Sequence, residues 1–208
     1  MNINGYSNRL TIKDRFTDVS ARDWFYIDVN FVNTNGLFKG FSDTLFEPNM
    51  PMTRAMTVTV LYRTNGSPEI KDMLNPFYDV PAGEYYYDAV LWAASNGIVY
   101  GFPDGSFMPE DNITRQQLAA IIYRYAAFTG NPFPEDPQAA APELLNSALN
   151  EWYSDAADID DYARAPALAL AKKGIMLGGL GYMFNPRDNG TRAQTAAILR
   201  RYLTVPPG

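Results

Sequence analysis

Apolar residues in the middle of the chain recur at helical spacing in two short stripes. Ala89, Trp92 and Ala93, continued by Asn96, fall on one face of a helix predicted over residues 86–96, and Leu118, Ile121, Ile122 and Tyr125 form a second stripe. Val60 and Leu61, and later Ile198 and Leu199, keep most of the second stripe elsewhere in the chain. Punctuating residues agree with this periodicity. Gly97 stands where the first helix should end in a left-handed cap, and Thr114 stands where the second should begin, its hydroxyl placed to accept a free backbone N–H of the first turn. Gln117 and Gln194, three residues after Thr114 and Thr191, complete capping boxes; Met56 after Thr53 cannot.

The pattern occurs three times. Asn35-Gly36-Leu37-Phe38-Lys39-Gly40, Asn96-Gly97-Ile98-Val99-Tyr100-Gly101 and Lys173-Gly174-Ile175-Met176-Leu177-Gly178 share the form Gly-apolar-x-x-Gly. From the second glycine, Phe46, Phe107 and Phe184 follow at the same distance, then Pro48, Pro109 and Pro186, then Thr53-Arg54, Thr114-Arg115 and Thr191-Arg192. Upstream, Trp24, Tyr85 and Tyr162 open the first helix of each copy. Before them come Phe16-Thr17-Asp18-Val19, Phe77-Tyr78-Asp79-Val80 and, more loosely, Tyr153-Ser154-Asp155-Ala156. Each unit thus reads as an opening segment, helix A, a turn and helix B. Units lie at 1–66, 67–130 and 131–208, joined by segments 67–76 and 131–150, the latter rich in Pro and Ala, with Glu135 and Asp136 and a short extra helix predicted over 142–149. Two such helices cannot bury their apolar faces alone, so the copies must share one core.

Composition narrows the chemistry. With 47% hydrophobic residues the 208-residue chain can bury a real core, and with 0 Cys and 0 His it has no disulfides, thiolate nucleophile, Cys/His zinc site or histidine acid–base catalyst. A net charge of -6 argues against nucleic acid and anionic membrane surfaces as partners, so an anionic ligand must be held by local cations. Residues 1–10 show no basic segment followed by an apolar run, and no stretch approaches a membrane span; an export signal, if the chain works outside the cell, is expected elsewhere in the parent protein.

The order Phe-x-Asp-Val, aromatic-led helix, Gly-Ile-x-x-Gly, Phe-x-Pro and Thr-Arg resembles the S-layer-homology repeat, in three tandem copies covering most of the chain. That resemblance implies a mainly α, pseudo-three-fold domain with the three B helices in a central bundle, short helices and loops in the lobes, and ligand grooves between lobes. It further implies a non-catalytic anchoring role at the bacterial cell surface and binding of anionic cell-wall polysaccharide, commonly through terminal pyruvylated N-acetylmannosamine, with no cofactor or metal. By position, the groove residues it implies are Arg54, Arg115 and Arg192 with Gly40, Gly101 and Gly178. Met56, Gln117 and Gln194 depart from the family's Glu, and Gly190 replaces the apolar residue seen as Met52 and Ile113.

On residue chemistry alone, each of these arginines suits either a ligand carboxylate, at a helix start with free N–H groups, or a salt bridge between lobes; the resemblance favours the ligand. The first glycines read as helix caps, and the second glycines suit a turn or close ligand approach equally. Trp24, Tyr85 and Tyr162 read as core, and Arg63, Arg124 and Arg201 as cations at the negative ends of B helices. Asp104-Gly105-Ser106 reads as a turn, lacking the alternating acids of a calcium loop. Glu110, Asp111, Asp155 and Asp158 are the carboxylates a glycosidase would need, yet no pair recurs. The competing non-enzyme reading is a protein–protein or self-assembly module of a surface layer. Because the middle copy alone keeps Ile113, Thr114, Arg115, Gln117 and both glycines, the groove using Arg115 is expected to bind best.

Overall fold

The computed structural model describes residues 2–3, 6–7, 15–133 and 141–204. Most of residues 1–10, and Glu135 and Asp136 of the second connecting segment, lie outside them. Two-residue strands β1 (Asn2–Ile3) and β2 (Tyr6–Ser7) pair antiparallel; the remaining regular structure is helical. The A helices are α1 (Tyr26–Thr34), α3 (Tyr87–Ser95) and α6 (Asp161–Lys172), the B helices are α2 (Arg54–Thr64), α4 (Arg115–Phe128) and α7 (Arg192–Thr204), and α5 (Pro142–Asn150) is the extra helix. No described helix is long and apolar enough to cross a membrane.

Local sequence accounts for the helix ends. Gly36, Gly97 and Gly174 take φ of +71°, +67° and +67°, and the next residue donates back to the last turn, as Leu37 N–H does to Val32 O at 2.9 Å. At the B-helix starts, Thr53, Thr114 and Thr191 accept the N–H of the third helical residue, and Gln117 and Gln194 close the boxes by accepting the Thr114 and Thr191 N–H at 3.0 and 3.3 Å.

The aspartate of each opening segment fastens its own repeat. Asp18, Asp79 and Asp155 each accept two successive backbone N–H groups, those of Phe46 and Glu47, Phe107 and Met108, and Phe184 and Asn185, at 2.6 to 2.9 Å. These clamps hold Glu47, Met108 and Asn185 at positive φ, a conformation costly for side-chain-bearing residues unless the surroundings fix it. Gly40 and Gly101 have no room for a Cβ, which would stand 2.6 and 2.4 Å from the rings of Phe16 and Phe77. Close packing within the protein is therefore sufficient to require glycine there.

The tertiary arrangement crosses the repeat boundaries. Each B helix packs closely against the A helix of the following copy, α2 on α3 and α4 on α6, and α7 packs back on α1 to close a ring. On the pseudo-three-fold axis, Met52 N–H donates to Gly190 O, Gly190 N–H to Ile113 O and Ile113 N–H to Met52 O, at 2.8, 2.9 and 2.8 Å. The B helices thus converge at their N-termini. α4 and α7 meet again at the other end, where the rings of Tyr125 and Tyr202 lie 5.7 Å apart and the hydroxyls of Thr129 and Tyr202 are 2.7 Å apart. One hydrophobic cluster includes Val29, Leu61, Trp92, Leu118, Leu170 and Leu199, so all three repeats share a core in a mainly α domain.

Candidate functional site

Ring closure consumes the donors that the sequence left free. Arg54 and Ala55 N–H donate to Asp111 and Pro109 O, Arg115 and Gln116 N–H to Asp188 and Pro186 O, and Arg192 and Ala193 N–H to Met50 and Pro48 O, at 2.9 to 3.1 Å. With the third N–H held by the threonine, the first turn of each B helix has no free donor among these three positions. The expectation of an anion seat made by free helix-start N–H groups is corrected: the neighbouring repeat's loop occupies it.

The arginine side chains follow the same path across the boundary. Arg54 Nε donates to Phe107 O at 2.8 Å and Nη2 to Tyr100 O at 3.3 Å; Arg115 does so to Phe184 O at 2.7 Å and Leu177 O at 3.4 Å; Arg192 to Phe46 O at 2.6 Å and Lys39 O at 2.9 Å. Each guanidinium also lies over the phenylalanine whose carbonyl it binds, 4.7, 5.5 and 4.6 Å from the centroid. Burial pulls all three below the usual arginine value, countered at Arg54 by Asp111, at Arg115 by Tyr153 and Asp188, and at Arg192 by Asp18 and Glu47. A guanidinium is not deprotonated in proteins at neutral pH, and no described residue bonds to the Nη1 atoms of these three.

Three equivalent grooves follow among the described residues, each assembled from three repeats. Groove 1, about 360 Å³, brings Arg54 of the first copy to Tyr100, Gly101, Gln117 and Arg124 of the second and Tyr162 of the third. Groove 2, also about 360 Å³, joins Arg115 to Leu177, Gly178, Gln194 and Arg201, and to Trp24. Groove 3, about 210 Å³, joins Arg192 to Lys39, Gly40, Met56 and Arg63, and to Tyr85. All six candidate residues thus line grooves, yet no arginine shares a groove with the glycine loop of its own repeat. The residues grouped in the middle copy for the expected strongest site are divided, Arg115 in groove 2 and Gly101 in groove 1.

Two residue sets read differently from the sequence turn out to face these grooves. Trp24, Tyr85 and Tyr162 are 62%, 58% and 47% exposed; the core positions at the start of helix A are the next residues, Phe25, Tyr86 and Ala163. In the first two copies the exposed ring stands edge-on against its buried neighbour, with centroids 5.3 and 5.0 Å apart. Adjacent aromatics put opposite faces within reach, and periodicity could not tell which one turned inward. Arg63, Arg124 and Arg201 also line grooves: Arg124 lies 4.7 Å over the Tyr100 ring and Arg201 Nη1 donates to Ile175 O at 3.3 Å. Their recurrence in register with the first arginines was the signal that could have placed them in the site.

Each lining therefore offers cations, an exposed aromatic ring and, in grooves 1 and 2, a side-chain amide. Asp155 is committed to Phe184 and Asn185 N–H, and Asp104 accepts both Ser106 N–H and Ser106 Oγ, which holds it below the usual carboxylate range.

The profile of the S-layer homology domain matches residues 15–55, 76–119 and 153–196, more than half of the chain. An amylopullulanase of Thermoanaerobacterium thermosulfurigenes is 32% identical over 192 residues, 88% of this chain but 9% of that protein. The S-layer protein sap of Bacillus anthracis is 26% identical over 190 residues, 89% of this chain and 21% of that protein. A cellulosome-anchoring protein of Acetivibrio thermocellus is 24% identical over 172 residues, 81% of this chain and 36% of that protein. The chain thus spans a minor part of each relative, and the shared part is the segment with the three-fold repeat. This chain belongs to the S-layer homology domain family.

Proposed function

We propose that this chain is a non-catalytic carbohydrate-binding module that anchors a bacterial surface protein to the cell wall, outside the cell, by holding an anionic secondary cell-wall polysaccharide in its inter-repeat grooves. The observation that carries the reading is the repeated lining: an arginine rooted on two backbone carbonyls with Nη1 unengaged among the described residues, a second arginine from helix B, and an exposed aromatic ring. A carboxylate on a sugar, such as the pyruvyl ketal of N-acetylmannosamine, suits the cations, and the sugar face suits the ring. Arg54, Arg115 and Arg192 are proposed to meet the carboxylate, with Gly40, Gly101 and Gly178 letting the sugar approach the loop. Relatives named for an S-layer and for cellulosome anchoring support an anchoring role, and the small share of the amylopullulanase that is matched supports a module separable from catalysis.

The test is co-sedimentation with cell-wall sacculi before and after removal of secondary polymer, followed by titration with a pyruvylated monosaccharide beside its unpyruvylated twin. Binding lost on extraction and a preference for the pyruvylated sugar are expected, with Trp24 fluorescence responding to it. Undiminished binding to stripped sacculi would overturn the secondary-polymer reading, and equal titration of the two sugars would remove the pyruvyl group from it.

A further inference from the structure

The ring has one seam. Two of its three close helix pairs, α2 with α3 and α4 with α6, join consecutive stretches of chain, whereas the third joins α1 near one end to α7 near the other. Only at this seam does a buried acid meet a cation among the described residues: Arg200 Nε donates to Asp28 Oδ1 at 2.5 Å across 172 positions, with the Asp28 side chain 5% exposed. The repeats have no counterpart of this pair. Ala89 and Pro166 occupy the place of Asp28, and Tyr62 and Tyr123 that of Arg200.

We infer that Asp28 and Arg200 form the latch that decides which B helix α1 closes the ring upon, and that the same surface accepts α1 of a second copy of this chain. Three B helices present similar apolar faces, so apolar packing alone would let α1 dock on α2 or α4 as well as on α7. Docking there would bury the Asp28 carboxylate beside Tyr62 or Tyr123 with no cation, which costs far more than it returns. A single buried polar pair sets register in this way in helical assemblies, and an element exchanged between identical chains forms the same contacts in a dimer as in a monomer. Within one chain the two ends are tethered, so their effective concentration favours the closed monomer. The latch also stands next to groove 2, because Trp24 lies one turn before Asp28 and Arg201 follows Arg200. In an exchanged dimer that groove would form again with Trp24 from one chain and Arg115 and Arg201 from the other.

The test uses charge reversal and reads mass, independently of any ligand. Asp28→Lys sets two cations against each other at the seam, and Arg200→Glu sets two acids against each other, so both variants are expected to lose closed monomer. When the two are unfolded and refolded together, an exchanged dimer pairs the introduced lysine of one chain with the introduced glutamate of the other, and the native aspartate with the native arginine in return. Light scattering of the mixture is expected to show a folded species of twice 23.3 kDa, with each variant alone giving less than about a tenth as much, and the double variant in one chain is expected to return to monomer. A mixture that stays at the mass of one chain, folded or not, overturns the inference, as does dimerisation of either variant alone to the same extent.

Discussion

Grooves 2 and 3 occupy equivalent places in the ring and differ in what surrounds the same arginine. In groove 2, Arg115 makes one short bond at 2.7 Å and a long one at 3.4 Å, and its walls carry Asn185, Asp188 and Gln194 beside Trp24. In groove 3, Arg192 is held by bonds of 2.6 and 2.9 Å and lies over both Phe38 and Phe46, while Met50, Met52 and Met56 line a space little more than half as large. A guanidinium already satisfied by protein carbonyls has less to gain from a ligand, and methionines offer a sugar hydroxyl no strong partner. The same motif can therefore act mainly as a recognition element in one groove and mainly as a fastening between repeats in another. Groove 2 is proposed as the stronger site, now on the character of its lining as well as on the regular helix start of Arg115.

The largest expected effect separates binding from stability. Arg115→Ala should weaken polysaccharide binding by about ten- to a hundredfold, the equivalent of a charge-assisted bond of about 1.5 to 3 kcal/mol. Arg192→Ala should cost at least as much stability in urea unfolding as Arg115→Ala, yet weaken binding by less than about threefold. Equal binding losses from the two variants would erase the distinction between the grooves.

A smaller effect should come from giving groove 3 what it lacks. Met56→Gln restores the capping box at Thr53 and places an amide where Gln194 stands in groove 2; it should raise stability by about 0.5 to 1 kcal/mol and reduce the difference in binding between the grooves. Unchanged stability would show that this helix start is already saturated by Thr53 and the Asp111 and Pro109 carbonyls.

The smallest effect concerns pH. Burial raises the Tyr153 hydroxyl, which donates to Met176 O at 2.7 Å, far above the usual tyrosine value, and raises Tyr86 as well. The folded state thus holds these protons more tightly than the unfolded chain. Their contribution to stability is complete below about pH 10, the unfolded tyrosine value, and is lost as pH rises through the higher folded values. Melting temperature attributable to these groups should be flat from about pH 6 to 9 and fall above about pH 10. Binding should be flat between about pH 6 and 8, since arginine and a pyruvyl carboxylate keep their charges and there is no histidine to titrate. A steep loss of affinity in that window would point to other chemical partners.

Local chemistry was legible wherever a residue acts on its own neighbours. Gly97 and Thr114 marked helix ends because a left-handed cap and a hydroxyl acceptor are local requirements, and Gln117 could be distinguished from Met56 because a capping box spans only four residues. The three-fold repetition fixed the unit, its two helices and the need for a shared core. Pairing between units was not legible, since every helix has one apolar face and nothing in its periodicity names the face it meets. Position along the chain groups Arg115 with Gly101, whereas in the ring it crosses to Gly178.

By itself the sequence determined three helix pairs, their caps, their spacing and the absence of cysteine and histidine chemistry. Only the tertiary structure decided that helix B packs on the next copy's helix A, that carbonyls of the neighbouring loop occupy the first N–H groups of each B helix, and that Trp24, Tyr85 and Tyr162 face outward. The physical reason is that the former follow from backbone geometry within a few residues, whereas the latter depend on which of several similar apolar faces meet when the ring closes, and at its seam that meeting includes the buried ion pair of Asp28 and Arg200.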